Sequence, residues 1–236
     1  MKRSEINAIM QDADSFMKSQ GFYLPPFAYW RPDEWRQKGD EIQEIPDKGL
    51  GWDVTDFGSG DFARIGLFVF TIRNGALADL KRGAGKVYAE KILLVDVDQV
   101  TPMHFHTTKF EDIINRGGGQ LAIQVYNSTP KNELADSDVE VSTDGVRRHF
   151  GAGDTLILKR GESITIPAGL YHKFWGVGSR VLAGEVSLVN DDHTDNHFHE
   201  QVGRFPAIDE DEPPLHLLCT DYDRYYDPKE AEGRKL

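Results

Sequence analysis

The sequence predicts an all-β protein, an antiparallel β-barrel of the jelly-roll type with helices of the N-terminal region packed outside. From residue 50 onward, short stretches rich in β-branched and aromatic residues follow one another. Glycines and clusters of Asp and Asn separate these stretches. Many short strands with little helix between them are typical of sandwiches and barrels. Apolar residues at helical spacing occur before residue 50, which predicts helices outside the barrel.

Residues 1–49 are predicted to form a helical extension that packs on the barrel. Apolar side chains recur at helical spacing near its start, at Ile6, Ile9, Met10, Ala13, Phe16 and Met17. Ser4 can cap this helix and Gly21 can end it. A second, short helix is predicted to begin at Pro32 and to stop at Gly39.

Residues 50–226 are predicted to form the barrel. Strands are expected over residues 62–73, 91–97, 119–126, 155–158, 163–166, 172–175 and 181–189. Asn74-Gly75 indicates a hairpin turn after the first of them. The polar stretch 129–145 predicts a long loop and the acidic residues 209–214 a turn. Residues 227–236 contain almost no apolar residues and predict a flexible tail.

The composition excludes several classes of protein. The 236 residues suffice for one large domain, and a formal net charge of −12 repels nucleic-acid phosphates and anionic membrane surfaces. The single cysteine, Cys219, allows neither an internal disulfide nor a zinc site built on thiolates. The N-terminal stretch lacks the apolar core of a signal peptide and no run approaches transmembrane length, so the expected location is the cytoplasm.

Four residues predict a metal site. His104 and His106 flank Phe105 beside a predicted strand, and the alternation of side chains along a strand points both imidazoles to the same face. Glu111 follows after a short turn, and His172 lies much further along the chain. Three imidazoles and one carboxylate suit Mn, Fe, Co, Ni or Zn. The His-x-His pair alone also occurs as two surface histidines on a strand.

The spacing of the whole pattern is more specific. His104-x-His106-x4-Glu111-x5-Gly117, followed by Gly161-x5-Pro167-x-Gly169-x2-His172, resembles the two motifs of the cupin superfamily. Glycine and proline suit the tight turns that direct the last histidine into a barrel. The sequence departs from the superfamily at Gly176, where Asn is frequent. That position is not a ligand, so the prediction of one bound ion stands.

The segments around these motifs resemble the D-lyxose isomerase family of the cupins. They are YAEK at 88–91, VTPMHFH at 100–106, KFEDIINRGGG at 109–119 and GEVSLVNDD at 184–192. The resemblance extends over most of the chain, up to GRFP at 203–206. It implies an aldose–ketose isomerase that interconverts D-lyxose and D-xylulose, and often D-mannose and D-fructose. It also implies a Mn-dependent oligomer.

Two further residues fit such chemistry. Isomerisation moves a proton between C2 and C1 through an enediol. It needs a Lewis acid, a general base and a group that shuttles or stabilises the proton at O1 or O2. Glu185 lies in an otherwise apolar strand, where an inward carboxylate would be desolvated and would have a raised pKa, so it is the predicted base. A salt-bridged or outward Glu185 is the alternative. Lys109 is the predicted group at O1 or O2, and an exposed lysine is its alternative.

Sugar contacts are predicted for five more residues, Lys91, Trp175, Asp195, His197 and Arg204. Trp175 follows His172 closely and is predicted to stack on a sugar face, with a core tryptophan as the alternative. The motifs supply ligands for one ion only, which favours proton transfer through a cis-enediol over a two-metal hydride shift.

Three other functions remain open on the sequence. An Fe(II) dioxygenase can use the same ligands, and a phosphosugar isomerase would need a cluster of Arg and Lys for phosphate. A non-catalytic sugar-binding or regulatory cupin is the third. The aromatic-rich segment 22–30 predicts an interface, and therefore a homodimer or a larger assembly.

Overall fold

The helices lie mainly at the N-terminal end of the protein, of which a computed structural model describes residues 1–192 and 194–229. They are α1 Arg3–Ser19, α2 Pro32–Trp35, α3 Glu44–Asp47, α4 Leu77–Arg82 and α5 Tyr222–Tyr225, with short 3-10 helices at Pro26–Tyr29 and Asp40–Ile42. The N-cap of α1 is Lys2 and not Ser4, because Ser4 bonds through its backbone N–H and its hydroxyl to Asp211. None of the helices described is long and apolar enough to cross a membrane.

Eleven strands in the described part of the chain form the barrel. They are β1 Gly51–Thr55, β2 Leu67–Arg73, β3 Tyr88–Val95, β4 His104–His106, β5 Glu111–Asn127, β6 Val139–Thr143, β7 Val146–Phe150, β8 Thr155–Leu158, β9 Ser163–Ile166, β10 Leu170–Leu188 and β11 Asn196–Phe198. These strands pair antiparallel, in the order β1-β2-β3-β10-β5-β9-β6-β7. Strand β4 pairs with β10 and β11, and β8 pairs with β5. The predicted all-β antiparallel fold is confirmed.

The two longest strands, β5 and β10, form the central pair of the barrel. Strand β10 runs beside β3 on one edge, where Glu185 is the direct partner of Lys91. On its other edge it follows β5 over most of its length, with register shifts between Val177 and Val181 and between Leu182 and Ala183. Such irregularities bend a strand, which lets one long strand serve both ends of the barrel. The two strands predicted over 172–175 and 181–189 therefore belong to one strand, β10, which ends at Leu188.

Strands β2 and β3 bury both of their faces. In β2, Leu67 and Val69 belong to the core inside the barrel, whereas Phe68 and Phe70 belong to a second core that includes the apolar face of α1. Ile6, Met10, Ala13 and Met17 are each at most 2% exposed in that second core. Helix α1 thus covers the outer face of β1, β2 and β3. How the chain divides at residue 50 stays a prediction.

Two further local predictions are wrong. No two-residue hairpin forms at Asn74-Gly75, because α4 lies between β2 and β3. The Asn74 side chain instead bonds to the carbonyls of Lys48 and Asn190. The predicted loop 129–145 contains β6, and β7 follows it. The side chains of β7 are mostly exposed, so that strand carries no apolar alternation that could reveal it.

The aromatic segment 22–30 packs largely within its own chain. Phe27 contacts Phe70, and Trp30 contacts Trp35, at ring-centroid distances of 5.6 and 5.4 Å. Tyr23 is 72% exposed. The segment therefore offers less surface to a second copy than its composition predicts. Most of the predicted tail 227–236 lies outside the described residues.

The two ends of the described chain are joined by a buried cation. Arg3 is fully buried, and its guanidinium donates two hydrogen bonds to Asp221, each of 2.9 Å, and two to Glu210, each of 2.8 Å. Asp221 is itself 7% exposed. This Arg3 link fixes α1 to the segment that follows the last strand.

Replacing Arg3 by alanine is expected to lower the free energy of unfolding by about 3–5 kcal/mol, because Asp221 is then left as a buried charge without its partner. Urea unfolding of the purified protein measures the change. The matched control is Arg224→Ala, which removes an exposed ion pair to the same Glu210 and should cost less than about 1 kcal/mol. Equal losses for the two variants would contradict a dominant role of the buried link.

Candidate active site

Three histidines meet inside the barrel. Strand β4 presents His104 and His106 on one face, and β10 places His172 directly opposite His104. One nitrogen from each lies within 4.8 Å of the other two. All three side chains are buried, and His172 is fully so. The predicted histidine ligands are therefore together, in the only such group of the described residues.

Backbone carbonyls fix how two of these rings are oriented. Nδ1 of His104 lies 2.8 Å from the carbonyl of Pro102, and Nδ1 of His172 lies 3.0 Å from that of Leu170. A carbonyl only accepts, so Nδ1 carries the proton and Nε2 keeps its lone pair. Nε2 of His172 has no hydrogen-bond partner within the described structure. Burial, with the neighbouring imidazoles, holds the pKa of His104 well below its ordinary value. Neutral, oriented imidazoles are what a metal ion requires.

Glu111 adjoins the three histidines. Its two carboxylate oxygens lie 3.1 Å from Nε2 of His172 and 3.3 Å from Nε2 of His106. Burial raises the pKa of this carboxyl, but the neighbouring Lys109, His106 and His172 together outweigh burial and hold the pKa well below its ordinary value. The carboxylate is thus ionised and available as a fourth ligand. Three imidazoles and one carboxylate fit a divalent metal ion.

A chain of buried charges leads away from the histidines. Nζ of Lys109 lies 2.7 Å from Glu111 and 2.8 Å from Glu185. Nζ of Lys91 lies 3.5 Å from Glu185 and bonds to the side chain of Asn190. The two lysines and two glutamates are each at most 5% exposed. Their charges balance, which explains how a barrel interior tolerates them.

The pKa of Glu185 is lowered, so the prediction of a raised pKa is wrong. Burial alone raises it, but the ammonium groups of Lys109 and Lys91 together outweigh burial. For Lys109, burial lowers the pKa, and the carboxylates of Glu111 and Glu185 outweigh it and raise the pKa. At neutral pH the pair is a carboxylate and an ammonium. Glu185 is therefore both inward and salt-bridged, two features that the sequence offered as alternatives.

These groups line one cavity of about 50 Å³. Its polar side is formed by the three histidines, Glu111, Lys109, Glu185, Lys91, Asp192, Asn196, Arg204 and Thr101. Its apolar side is formed by Phe57, Leu67, Val69, Leu93, Ile113, Phe174 and Phe198. The cavity therefore combines an apolar wall with a few converging polar groups, as small-molecule sites do.

Two of the five predicted sugar contacts line this cavity, Lys91 and Arg204. Arg204 is held by Asp53 and, at 3.2 Å, by Asp192. Arg204 lies in the segment that follows β11. Asp192, which lies before β11, and Asn196, the first residue of β11, also line the cavity and were not selected in the sequence analysis.

Trp175, Asp195 and His197 do not line the cavity, so the geometry does not support sugar contacts by these three. His172 and Phe174 point inward, and alternation along β10 turns Trp175 outward. The ring of His197 stacks on Phe105 at a centroid distance of 4.7 Å. The carboxylate of Asp195 instead accepts hydrogen bonds from the backbone of residues 108 and 109, which positions Lys109.

The sequence comparisons agree with this geometry. A family model described as D-lyxose isomerase matches residues 1–222. The chain belongs to the D-lyxose isomerase family. It is 48% identical to D-lyxose/D-mannose isomerase of Escherichia coli O157:H7 over 229 residues, which cover 95% of this chain and 100% of that protein. It is 47% identical to D-lyxose/D-mannose isomerase of Serratia proteamaculans, over 95% of this chain and 99% of that protein.

Among solved structures, L-ribose isomerase of Cellulomonas parahominis with L-psicose is 15% identical, with a TM-score of 0.59. The match covers 89% of this chain and 98% of that one. At this identity the likeness shows a shared fold. The predicted family, the cupin-like β fold and the enzyme class, a sugar isomerase, are confirmed.

Replacing His172 by alanine is expected to remove the bound divalent ion. The loss of affinity should exceed the roughly 10- to 100-fold that removal of an outer-shell partner costs, because a direct ligand is lost. Metal content after dialysis against Mn²⁺, measured by mass spectrometry, checks this. His149→Ala is the control, since His149 lies on β7, is 68% exposed and is remote from the three histidines. A His172→Ala protein with one ion per chain would refute the site.

Proposed function

We propose that this sugar isomerase interconverts D-lyxose and D-xylulose, and D-mannose and D-fructose, by proton transfer through a cis-enediol. The observation that carries the proposal is the row of ion pairs Glu185–Lys109–Glu111, in which Glu111 adjoins the three histidines inside one cavity. It brings a base, a proton donor and candidate metal ligands together. The names of the relatives from Escherichia coli O157:H7 and Serratia proteamaculans support the choice of sugars.

His104, His106, Glu111 and His172 would hold the divalent ion, and Mn²⁺ is proposed because it suits a mixed nitrogen and oxygen ligand set. When bound, the ion supplies a Lewis acid for two neighbouring sugar oxygens. The carbonyls that hold Nδ1 of His104 and His172 keep these rings in place.

Glu185 is proposed to move the proton between C2 and C1. In the structure described here its carboxylate is stabilised by Lys109 and Lys91, which makes it a weak base. If Lys109 turns to a sugar oxygen, Glu185 loses one of its two cations within a buried site, and its pKa rises. Substrate binding would thereby raise the basicity of Glu185 when it is needed. Lys91 and Ser187, which donates a 3.1 Å hydrogen bond to Glu185, keep the carboxylate in place.

Lys109 is proposed to hydrogen-bond O1 and O2, giving a proton to O1 and taking one from O2 as the aldose becomes the ketose. Its raised pKa keeps it protonated at neutral pH. Arg204 is proposed to bind a hydroxyl, because its Nη1 is buried and has no hydrogen-bond partner among the described residues. These donors suit an uncharged sugar with many hydroxyl groups.

A phosphosugar is a poorer substrate for this cavity. The three cations that line it in the described part of the chain, Lys91, Lys109 and Arg204, are each paired with a carboxylate. A phosphate would have to displace those partners and would leave them buried and charged. An uncharged sugar needs no cation to neutralise it, so the ion pairs of Lys91 and Arg204 can stay intact when it binds.

The proposed function is tested with metal-depleted protein that is resupplied with Mn²⁺ and offered a panel of aldoses, with ketose detection. D-lyxose and D-mannose should be turned over, and their phosphorylated forms should not. Turnover of other aldoses, without turnover of D-lyxose or D-mannose, would overturn the proposed substrates. Two predictions remain, assembly as a homodimer or a larger oligomer and location in the cytoplasm. The mass of the protein in solution tests the first.

The proposed base predicts the behaviour of Glu185→Gln. This change keeps the size of the side chain but removes the base, so the rate should fall by about 10²–10⁴-fold while metal content is unchanged. Product formed in D₂O by the unaltered enzyme should carry deuterium at the carbon that received the proton. Glu90→Gln is the control, because Glu90 lies on β3 and pairs with Arg73 outside the cavity. Retention of the substrate hydrogen together with a near-normal Glu185→Gln rate would point to a hydride shift.

A further inference from the structure

One buried hydroxyl at the cavity has no partner. Thr101 is 2% exposed, and its Oγ1 makes no hydrogen bond to any of the described residues. Buried hydroxyls in folded proteins almost always have a partner, so an exception calls for a reason. Neither the ion-pair chain nor the histidines use this group.

The backbone holds Thr101 firmly in the cavity wall. Its N–H donates to the carbonyl of Phe174 at 3.1 Å, and Val100 beside it pairs with Ile65, just before β2. Thr101 therefore lies between β10 and the start of β2. Phe174 of β10 and Leu67 of β2 both contribute to the apolar wall. Valine has nearly the same shape and would fill this place without leaving a polar group unpaired.

We propose that Thr101 binds a hydroxyl group of the sugar and contributes to substrate specificity. A threonine hydroxyl both donates and accepts, as each hydroxyl of a sugar does, so the two groups can pair in either direction. The described residues leave Oγ1 without a partner, so a sugar hydroxyl in the cavity would be the partner that the fold itself does not provide. This inference rests on the proposed action on sugars and adds to it a contact in the apolar wall.

Thr143 provides a matched control. Its Oγ1 is also buried and without a partner among the described residues, and the residue is 6% exposed. It lies on β6 and does not line the cavity. Thr143→Val thus removes a comparable hydroxyl from a place that the sugar does not reach.

The first experiment compares kcat/KM and thermal stability. Thr101→Val should lower kcat/KM for D-lyxose and D-mannose by about 3- to 10-fold, the effect of one neutral hydrogen bond, with an equal or higher Tm and unchanged metal content. Thr101→Ser keeps the hydroxyl and should recover most of this loss. Thr143→Val should leave kcat/KM unchanged. A Thr101→Val enzyme with the kcat/KM of the unaltered protein would overturn the proposal.

Monodeoxy analogues of D-mannose identify the hydroxyl that Thr101 contacts. The analogue without that group should be turned over equally by the unaltered enzyme and by Thr101→Val, because the two deletions remove the same interaction. Equal sensitivity of every analogue to the substitution would contradict a direct contact.

Sugar binding without turnover separates this inference from the proposed function. D-mannose should raise the Tm of the unaltered protein and of Thr143→Val more than that of Thr101→Val. If no aldose is turned over but this difference is found, the proposed function fails and the contact stands. If D-mannose raises the Tm of all three proteins equally, the proposed contact is refuted, whatever their activity.

Discussion

Four buried charges, on two lysines and two glutamates, constrain this active site more than any other interaction. Lys109 lies between Glu111 and Glu185, and Lys91 adds a second ammonium beside Glu185. One of these charges alone would be strongly destabilising in the barrel, whereas together they balance. The balance depends on strand register, because side chains alternate between faces. A slip of one residue in β10 would turn Glu185 outward and leave the two lysines with a single carboxylate.

The same strands connect these charges to the histidines. Strand β10 carries both His172 and Glu185, and β5 begins at Glu111, so the central pair of strands spans the whole site. Gly176 lies where β10 approaches the end of β3, and a Cβ there would come within 2.7 Å of the carbonyl oxygen of Asp96. This close approach explains why the sequence departs from the asparagine that cupins frequently have at this position. The departure adjusts backbone packing and leaves the ligands unaffected.

Local patterns predicted the barrel, the shared face of His104 and His106 and the inward position of Glu185, because each depends on spacing within single strands. His172 lies on a different strand, and the resemblance to the two cupin motifs added it to the site. The lowered pKa of Glu185 could not be predicted in that way, since it depends first on Lys109, which lies just before β5, and then on Lys91, the residue of β3 that lies opposite. A single sequence reveals neither placement. Trp175 is a different case. The alternation that directs His172 inward also directs Phe174 inward and Trp175 outward, so the sequence contained the signal. Thr101 carried no signal at all, because only the three-dimensional structure shows that its hydroxyl lacks a partner.

The link between Arg3 and Asp221 joins residues that are 218 positions apart in the chain. A ribosome adds about 5–20 residues per second, so Arg3 is made roughly 10–40 s before its main partner. Throughout that interval the nascent chain carries an amphipathic helix whose first turn holds a cation without its buried acceptor. The strands that α1 covers, β1 to β3, are made early, but the Arg3 link that fixes the start of α1 can form only when synthesis is almost complete.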